Sequence, residues 1–229
     1  MCAQARGELD RGLQEVQDDL LRLGTMVIEA IEQSMSSLTK RDRTLAEQVI
    51  KKDQAINDLR YRIEEACIRI TATQQPAAVD LREIMAAMII ANELERMGDH
   101  AEGIARIVVR MGDEPLLKPL IDLPRMADEC RRMVASSLDA YTDHNVLLAR
   151  EIASRDDFVD DLYEQVFREL LTYIIEDPQV TTRALYLLFV AHNLERIADR
   201  VTNITERVVF VASGEMQELN PEPDSTDLK

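Results

Sequence analysis

The chain has 229 residues, 46% hydrophobic and 31% charged, enough apolar mass for a sizeable core in one large or two small domains. Only seven Gly, seven Pro and 4% aromatic residues stand among abundant Leu, Ala, Glu, Arg, Met and Gln, which excludes a β-sandwich or barrel and favours an all-α fold. The 43 acidic and 27 basic residues leave a net charge of -16, which repels nucleic-acid phosphates and suits basic protein partners or bound cations.

Helical periodicity runs along almost the whole chain. A first helix is expected from about Leu9 to Leu38 and a second from about Arg43 to Thr71. The second carries Leu45, Val49, Ile56, Leu59, Ile63, Ala66 and Ile70 on one stripe, and Gln74-Gln75-Pro76 breaks it. The third runs from about Val79 to Met111. Gly112, Pro115, Pro119 and Pro124 then mark a linker. The fourth is expected from about Arg125 to Tyr141, the fifth from about Asn145 to Ile175, and the sixth from about Val180 to Ala212. Gly214 stops the sixth, and the polar tail 214–229 reads as disordered.

Two pairs of segments repeat. ANELERMGDHAEGIARIVV from Ala91 matches AHNLERIADRVTNITERVV from Ala191. LAEQVIKKDQAINDL from Leu45 matches LAREIASRDDFVDDL from Leu148. The repeat unit is therefore three long helices, and the expected fold is two tandem three-helix up-down-up bundles, six long helices in all. The first repeat occupies residues 1–112; the linker and second repeat occupy 113–213.

The duplication places acids at matching points. Glu95 and Asp99 recur as Glu195 and Asp199, and Asp53 and Asn57 as Asp156 and Asp160. Like charges at i,i+4 on a helix repel by a few tenths of a kcal/mol, so their repetition suggests that something positive sits there. Antiparallel packing about the turn near Gln75 sets Asp53 level with Asp99 and Asn57 level with Glu95. About the turn near Asp177, Asp156 falls level with Asp199 and Asp160 with Glu195. All eight flank apolar stripes, so two surface patches of converging oxygen ligands are expected. Such patches suit Mg, Mn, Fe or Zn completed by water. His192 or Asn92, one turn before the Glu, could add a ligand, although a partly exposed histidine without that role is the plainer reading of His192. Ordinary solvated acids, partly neutralised by Arg96 and Arg196, are the bland alternative.

A catalytic reading finds little. A di-iron oxidase bundle would need His three residues after Glu, but residues 98 and 198 are Gly and Ala. There is no glycine-rich phosphate loop, nucleophile elbow or HExxH. Cys2, Cys67 and Cys130 form no CxxC, which argues for a reducing compartment. The N-terminal MCAQARGELD has no apolar segment, and the longest apolar stretches, such as Ile84 to Ala91, are too short to span a bilayer, so a cytoplasmic location is expected.

From about Leu9 to Ala212 the chain resembles the PhoU family, bacterial regulators of phosphate uptake. QQPAAVDLREIMAAMIIANELERMGDHAEGIARIVV and LERIADRVTNITERVV carry the likeness, together with the family's repeated E(D)xxxD motif. That motif stands here as Glu95/Asp99, Asp156/Asp160 and Glu195/Asp199, while the fourth copy is Asp53/Asn57 and leaves the first site one charge short. The resemblance implies multinuclear metal clusters, iron or zinc, on these motifs. It implies a non-enzymatic role coupling the phosphate ABC-transporter ATPase to a sensor histidine kinase and repressing phosphate-starvation genes. The expected assembly is a homodimer without membrane insertion. A metal-buffering helical protein without a signalling partner is the alternative, and a purely structural helical module a third.

Overall fold

A computed structural model describes residues 2–220, and their side chains from Arg6 onward. The expected residues 221–229 of the tail lie outside the described residues. Seven α-helices follow one another: α1 (Cys2–Lys40), α2 (Arg43–Gln74), α3 (Ala78–Met111), α4 (Asp122–Thr142), α5 (Val146–Ala153), α6 (Asp156–Glu176) and α7 (Thr181–Ser213), with a 3-10 turn at Pro178–Val180. No described helix is long and apolar enough to cross a membrane.

The repeat is written into the backbone. Each turn from a first to a second helix holds a non-glycine residue in the left-handed region, Arg41 at φ 56° and His144 at φ 49°. Each is followed by a side-chain cap. Asp42 accepts from Leu45 N at 3.0 Å and Asn145 from Leu148 N at 3.1 Å, each satisfying one of the helix's unpaired N–H groups. Gln75, at φ 48°, ends α2 before Pro76.

Two boundaries differ from expectation for physical reasons. Pro124 lies inside the first turn of α4, which starts at Asp122. Proline is tolerated there because its missing N–H would have no intrahelical partner. The expected fifth helix is broken at Ser154–Arg155 into α5 and α6. Arg155 N bonds Ile152 O at 3.0 Å, a tightened 3-10 closure, and Ser154 Oγ bonds Glu151 O at 2.8 Å. The guanidinium of Arg155 reaches across to Glu129 of α4 at 2.6 Å, where Arg132 also pairs at 2.8 Å. The break thus sits beside an ion pair to another helix, a contact that local propensity does not reveal.

The bundles α1–α3 and α4–α7 do not stack end to end. They merge side by side through α3 and α7, the most extensively packed helix pair, while α1 also packs on α4. One hydrophobic core runs from Leu9 to Val211 through both repeats. Across the α3–α7 seam, His100 Nδ1 lies 3.0 Å from Asn193 Oδ1 and Arg200 donates to Glu93 at 2.9 Å. In repeat terms, Glu93 corresponds to Asn193 and His100 to Arg200. The two contacts are therefore exchanged by a pseudo-two-fold axis through the middle of the seam. Gly103 permits the close approach, since a Cβ there would stand 3.0 Å from Asn193 Oδ1.

Candidate functional site

The α2–α3 and α6–α7 pairs share one register. Arg60 Nη2 meets Asn92 Oδ1 at 3.5 Å in the first repeat. At the equivalent place in the second, the rings of Tyr163 and His192 lie 6.3 Å apart. This register brings the acids of facing helices to one level in each repeat.

In the second repeat, one carboxylate oxygen from each of Asp156, Asp160 and Asp199 lies within 4.8 Å of the others. Asp156 opens α6, so the break in the expected fifth helix places it at a positive helix end. It is not on a surface patch: Asp156 is 4% exposed, whereas Asp160 is exposed and Asp199 half-buried. Burial, then the charges of Asp160 and Asp199, push the Asp156 carboxyl up to about 7. Burial raises Asp160 and Asp199 too, against the lowering effect of Arg196 on the latter. Arg196 Nη1 pairs with Asp199 at 2.6 Å. Glu195 stands outside the tight trio but feels it. Burial and Asp199 push it up to about 7, and its Oε2 faces His192 Nδ1 at 3.4 Å.

The first repeat is built differently. Asp53 lies within the unbroken α2, and burial, then Glu102, Asp99 and Glu95, push it up to about 6. Glu95 is raised by burial and Asp99, with Arg60 and Arg96 opposing. Asn57 turns its amide inward, donating to Asp53 Oδ2 at 2.9 Å. Glu102 adds an acid beside Asp53, and its own carboxylate is paired with Arg106 at 2.6 Å. It lines the same cavity of about 140 Å³ between α1, α2 and α3 as Asp53. Glu102 lies three residues after Asp99 on the same face, a spacing that could have revealed it; Thr202 stands at its place in the second repeat. Gly98 lets α3 approach here, since a Cβ would meet Ile56 Cδ1 at 3.0 Å and Asp53 Oδ1 at 3.5 Å.

Asp53 Oδ1, Asp156 Oδ1 and Glu195 Oε2 are buried and accept no hydrogen bond. Acceptor-only oxygens of this kind fit a hard cation, and among the described residues it is in the second repeat, at Asp156, Asp160 and Asp199, that three acidic oxygens come within 4.8 Å. The other histidines have different surroundings. His100 is held at the α3–α7 seam, where burial lowers its pKa, and His144 faces Glu83 at 3.5 Å.

Comparison with known proteins adds a separate line of evidence. The family description "PhoU domain" matches residues 20–108 and 123–208. The "Phosphate-specific transport system accessory protein PhoU homolog" of Clostridium acetobutylicum is 40% identical over 209 residues, 91% of this chain and 95% of that one. The protein of the same name from Aquifex aeolicus is 41% identical with the same coverage, 91% and 95%. The crystal structure of the phosphate transport system regulatory protein PhoU from Streptococcus pneumoniae superposes with a TM-score of 0.86 at 33% identity, covering 92% of this chain and 100% of that chain. PhoU from Pseudomonas aeruginosa superposes with a TM-score of 0.86 at 33% identity, covering 90% and 99%.

Proposed function

The chain belongs to the PhoU family, and we propose that it acts as a regulatory accessory protein of phosphate transport, without catalysis of its own. The observation that carries this reading is near full-length similarity to proteins named as phosphate-specific transport accessory proteins. In this reading the chain couples the transporter ATPase to a phosphate-sensing histidine kinase and represses phosphate-starvation genes when phosphate is plentiful. It works in the cytoplasm as a homodimer, an assembly that light scattering reads directly. The net charge of -16 supports partners with basic docking faces, since complementary potentials speed encounter and lend salt sensitivity.

The same reading gives the acidic clusters a role as cation sites. Asp156, Asp160, Asp199 and Glu195 hold metal in the second repeat. Asp53, Glu95 and Asp99 do so in the first, where Asn57 serves as a hydrogen-bond donor to Asp53. A bound cation supplies charge neutralisation and ties α6 to α7, or α2 to α3. Oxygen-rich sites of this kind suit Mg or Mn and also accommodate iron or zinc, including more than one ion.

Deletion in the host tests the function. Phosphate-starvation genes should become active in phosphate-rich medium, and tagged protein should retain the transporter ATPase or kinase at low salt and lose it as salt rises. Normal repression in the deletion strain, with no transport component retained, overturns the regulatory reading. If metal is still bound in that case, the metal-buffering alternative takes its place.

A further inference from the structure

We propose that the outer face of α2, α3, α7 and α6 carries two equivalent apolar docking points, one in each repeat, and that together they fit a partner that is itself a two-fold dimer. Ile68 of α2 and Met85 of α3 are 57% and 47% exposed. Their repeat equivalents, Leu171 of α6 and Leu185 of α7, are 45% and 39% exposed. The register set by Arg60 with Asn92 and by Tyr163 with His192 puts Ile68 level with Met85, and Leu171 level with Leu185. Each repeat therefore shows solvent an apolar pair across its two helices, at the same place. Single exposed apolar side chains are ordinary on a soluble protein. A cross-helix pair repeated in both copies is not ordinary, and the core does not require it, because the neighbouring Cys67, Ile84, Leu170 and Ala184 already fill the interior.

The pseudo-two-fold axis fixes where the two points lie. The contacts of His100 with Asn193 and of Glu93 with Arg200 show that α3 and α7 run antiparallel and place the axis midway along their seam. An axis that exchanges two antiparallel helices stands perpendicular to the layer they form, so both points face the same way. Met85 and Leu185 each lie about 12 residues from the seam midpoint, in opposite directions, so at 1.5 Å per residue the points are roughly 35 Å apart along the helices.

A partner with one apolar socket uses one point and leaves the other bare. A two-fold dimer brings the same socket twice, and with its axis on the pseudo-axis of this chain it covers both points at once. Charge selects against a second copy of this chain in that role. Between the points the face carries Glu95, Asp99, Glu195 and Asp199 against Arg96 and Arg196, and each chain has a net charge of -16, so two such faces repel. A divalent cation in each cluster offsets only a small part of that charge. The partner that fits is a symmetric dimer with basic side chains between its two apolar sockets.

This inference rests on the reading of the chain as an accessory protein of phosphate transport, and the test separates the two. The probe is the purified phosphate transporter of the host, in detergent, with its two ATPase subunits. Light scattering reads the composition of the complex, and biolayer interferometry at low salt reads the affinity. One chain should bind per two ATPase subunits. Ile68→Ser/Met85→Ser and Leu171→Ser/Leu185→Ser should each weaken binding by about 100-fold, the effect of losing one of two linked contacts. Melting should be unchanged in both variants, since all four side chains are exposed. One chain per ATPase subunit overturns two-point docking and leaves the accessory reading standing. So does a pair of substitutions that leaves the affinity unchanged, whether at one point or at both. No binding by the unsubstituted chain overturns the accessory reading and the docking together.

Discussion

Replacing Asp156 by Asn should stabilise the protein in chelator, and only above a definite pH. The substitution keeps the side-chain shape and an oxygen that can still accept from Asn220, so it changes chiefly the charge. Burial and the neighbouring acids raise the Asp156 carboxyl from an ordinary 3.8 to about 7. At 1.36 kcal/mol per tenfold, that difference corresponds to about 4 kcal/mol against the ionised fold. Water around the exposed Asp160 and half-buried Asp199 screens the interaction, which leaves about 2 kcal/mol. Because the folded pKa lies above the unfolded one, the fold binds the proton more tightly than the unfolded chain does. This contribution to stability is fully present below about pH 4, is lost as pH rises toward 7, and stays lost above it. Asn does not titrate, so the variant and the original should melt together below about pH 4. At pH 8 in chelator the variant should melt about 4–8 °C higher, as expected for a chain of this size. Thermal unfolding followed by circular dichroism at 222 nm checks it. Added Mn2+ should reverse the order, raising the original protein more than the variant. Coincident melts at pH 8 in chelator would refute the claim that Asp156 carries an uncompensated charge in the fold.

Three further outcomes follow from the packing and the clusters. Gly24→Ala places a methyl group into the buried Leu138 across the α1–α4 contact, and should cost about 1–3 kcal/mol despite a gain in helix propensity of about 1 kcal/mol. Leu138→Ala in that background should lose less than it does alone, as denaturant titration will show. Arg200 and Glu93 pair at 2.9 Å with side chains 15% and 13% exposed, so Glu93→Ala should destabilise by about 3 kcal/mol by leaving the guanidinium poorly compensated. The double variant with Arg200→Met should recover part of the loss; no recovery would show that the pair is not coupled. Glu102→Gln should weaken Mn2+ binding at the first cluster and Asn57→Asp should strengthen it, each measured in an Asp160→Asn/Asp199→Asn background. Unchanged affinity on Glu102→Gln would show that Glu102 is not part of that cluster.

Much of this was legible in the sequence because it rests on local rules. Long amphipathic periods, the Gln75-Pro76 stop and the Gly214 stop are all set within a few residues of where they act. The level pairing of acids on facing helices follows from a short turn and antiparallel packing. Features that needed a distant partner were not legible. Ser154-Arg155 is compatible with a continuing helix, and the break becomes favourable with Arg155 paired to Glu129 of α4. The lateral merging of the bundles depends on the α3–α7 seam, where Gly103 and Asn193 meet from positions 90 residues apart by number.

The parts of the sites that were illegible are those in which the two repeats differ. Aligning the copies highlights what they have in common and hides what compensates for their differences. Asn57 looked like a lost carboxylate when set against Asp160. In the structure its amide is a donor to Asp53, and Glu102, whose counterpart is Thr202, adds an acid nearby that is itself paired with Arg106 at 2.6 Å. The second repeat solves the same problem from the other side. It keeps the carboxylate at Asp160 and imports the amide as Asn220, from a tail whose composition reads as disordered. Half-buried Asp53 and buried Asp156 thus each end with one oxygen held by a carboxamide and one without a donor. One amide comes from the aspartate's own helix and the other from beyond the end of α7. The duplication has therefore kept one arrangement around each aspartate while drawing its amide partner from different parts of the chain.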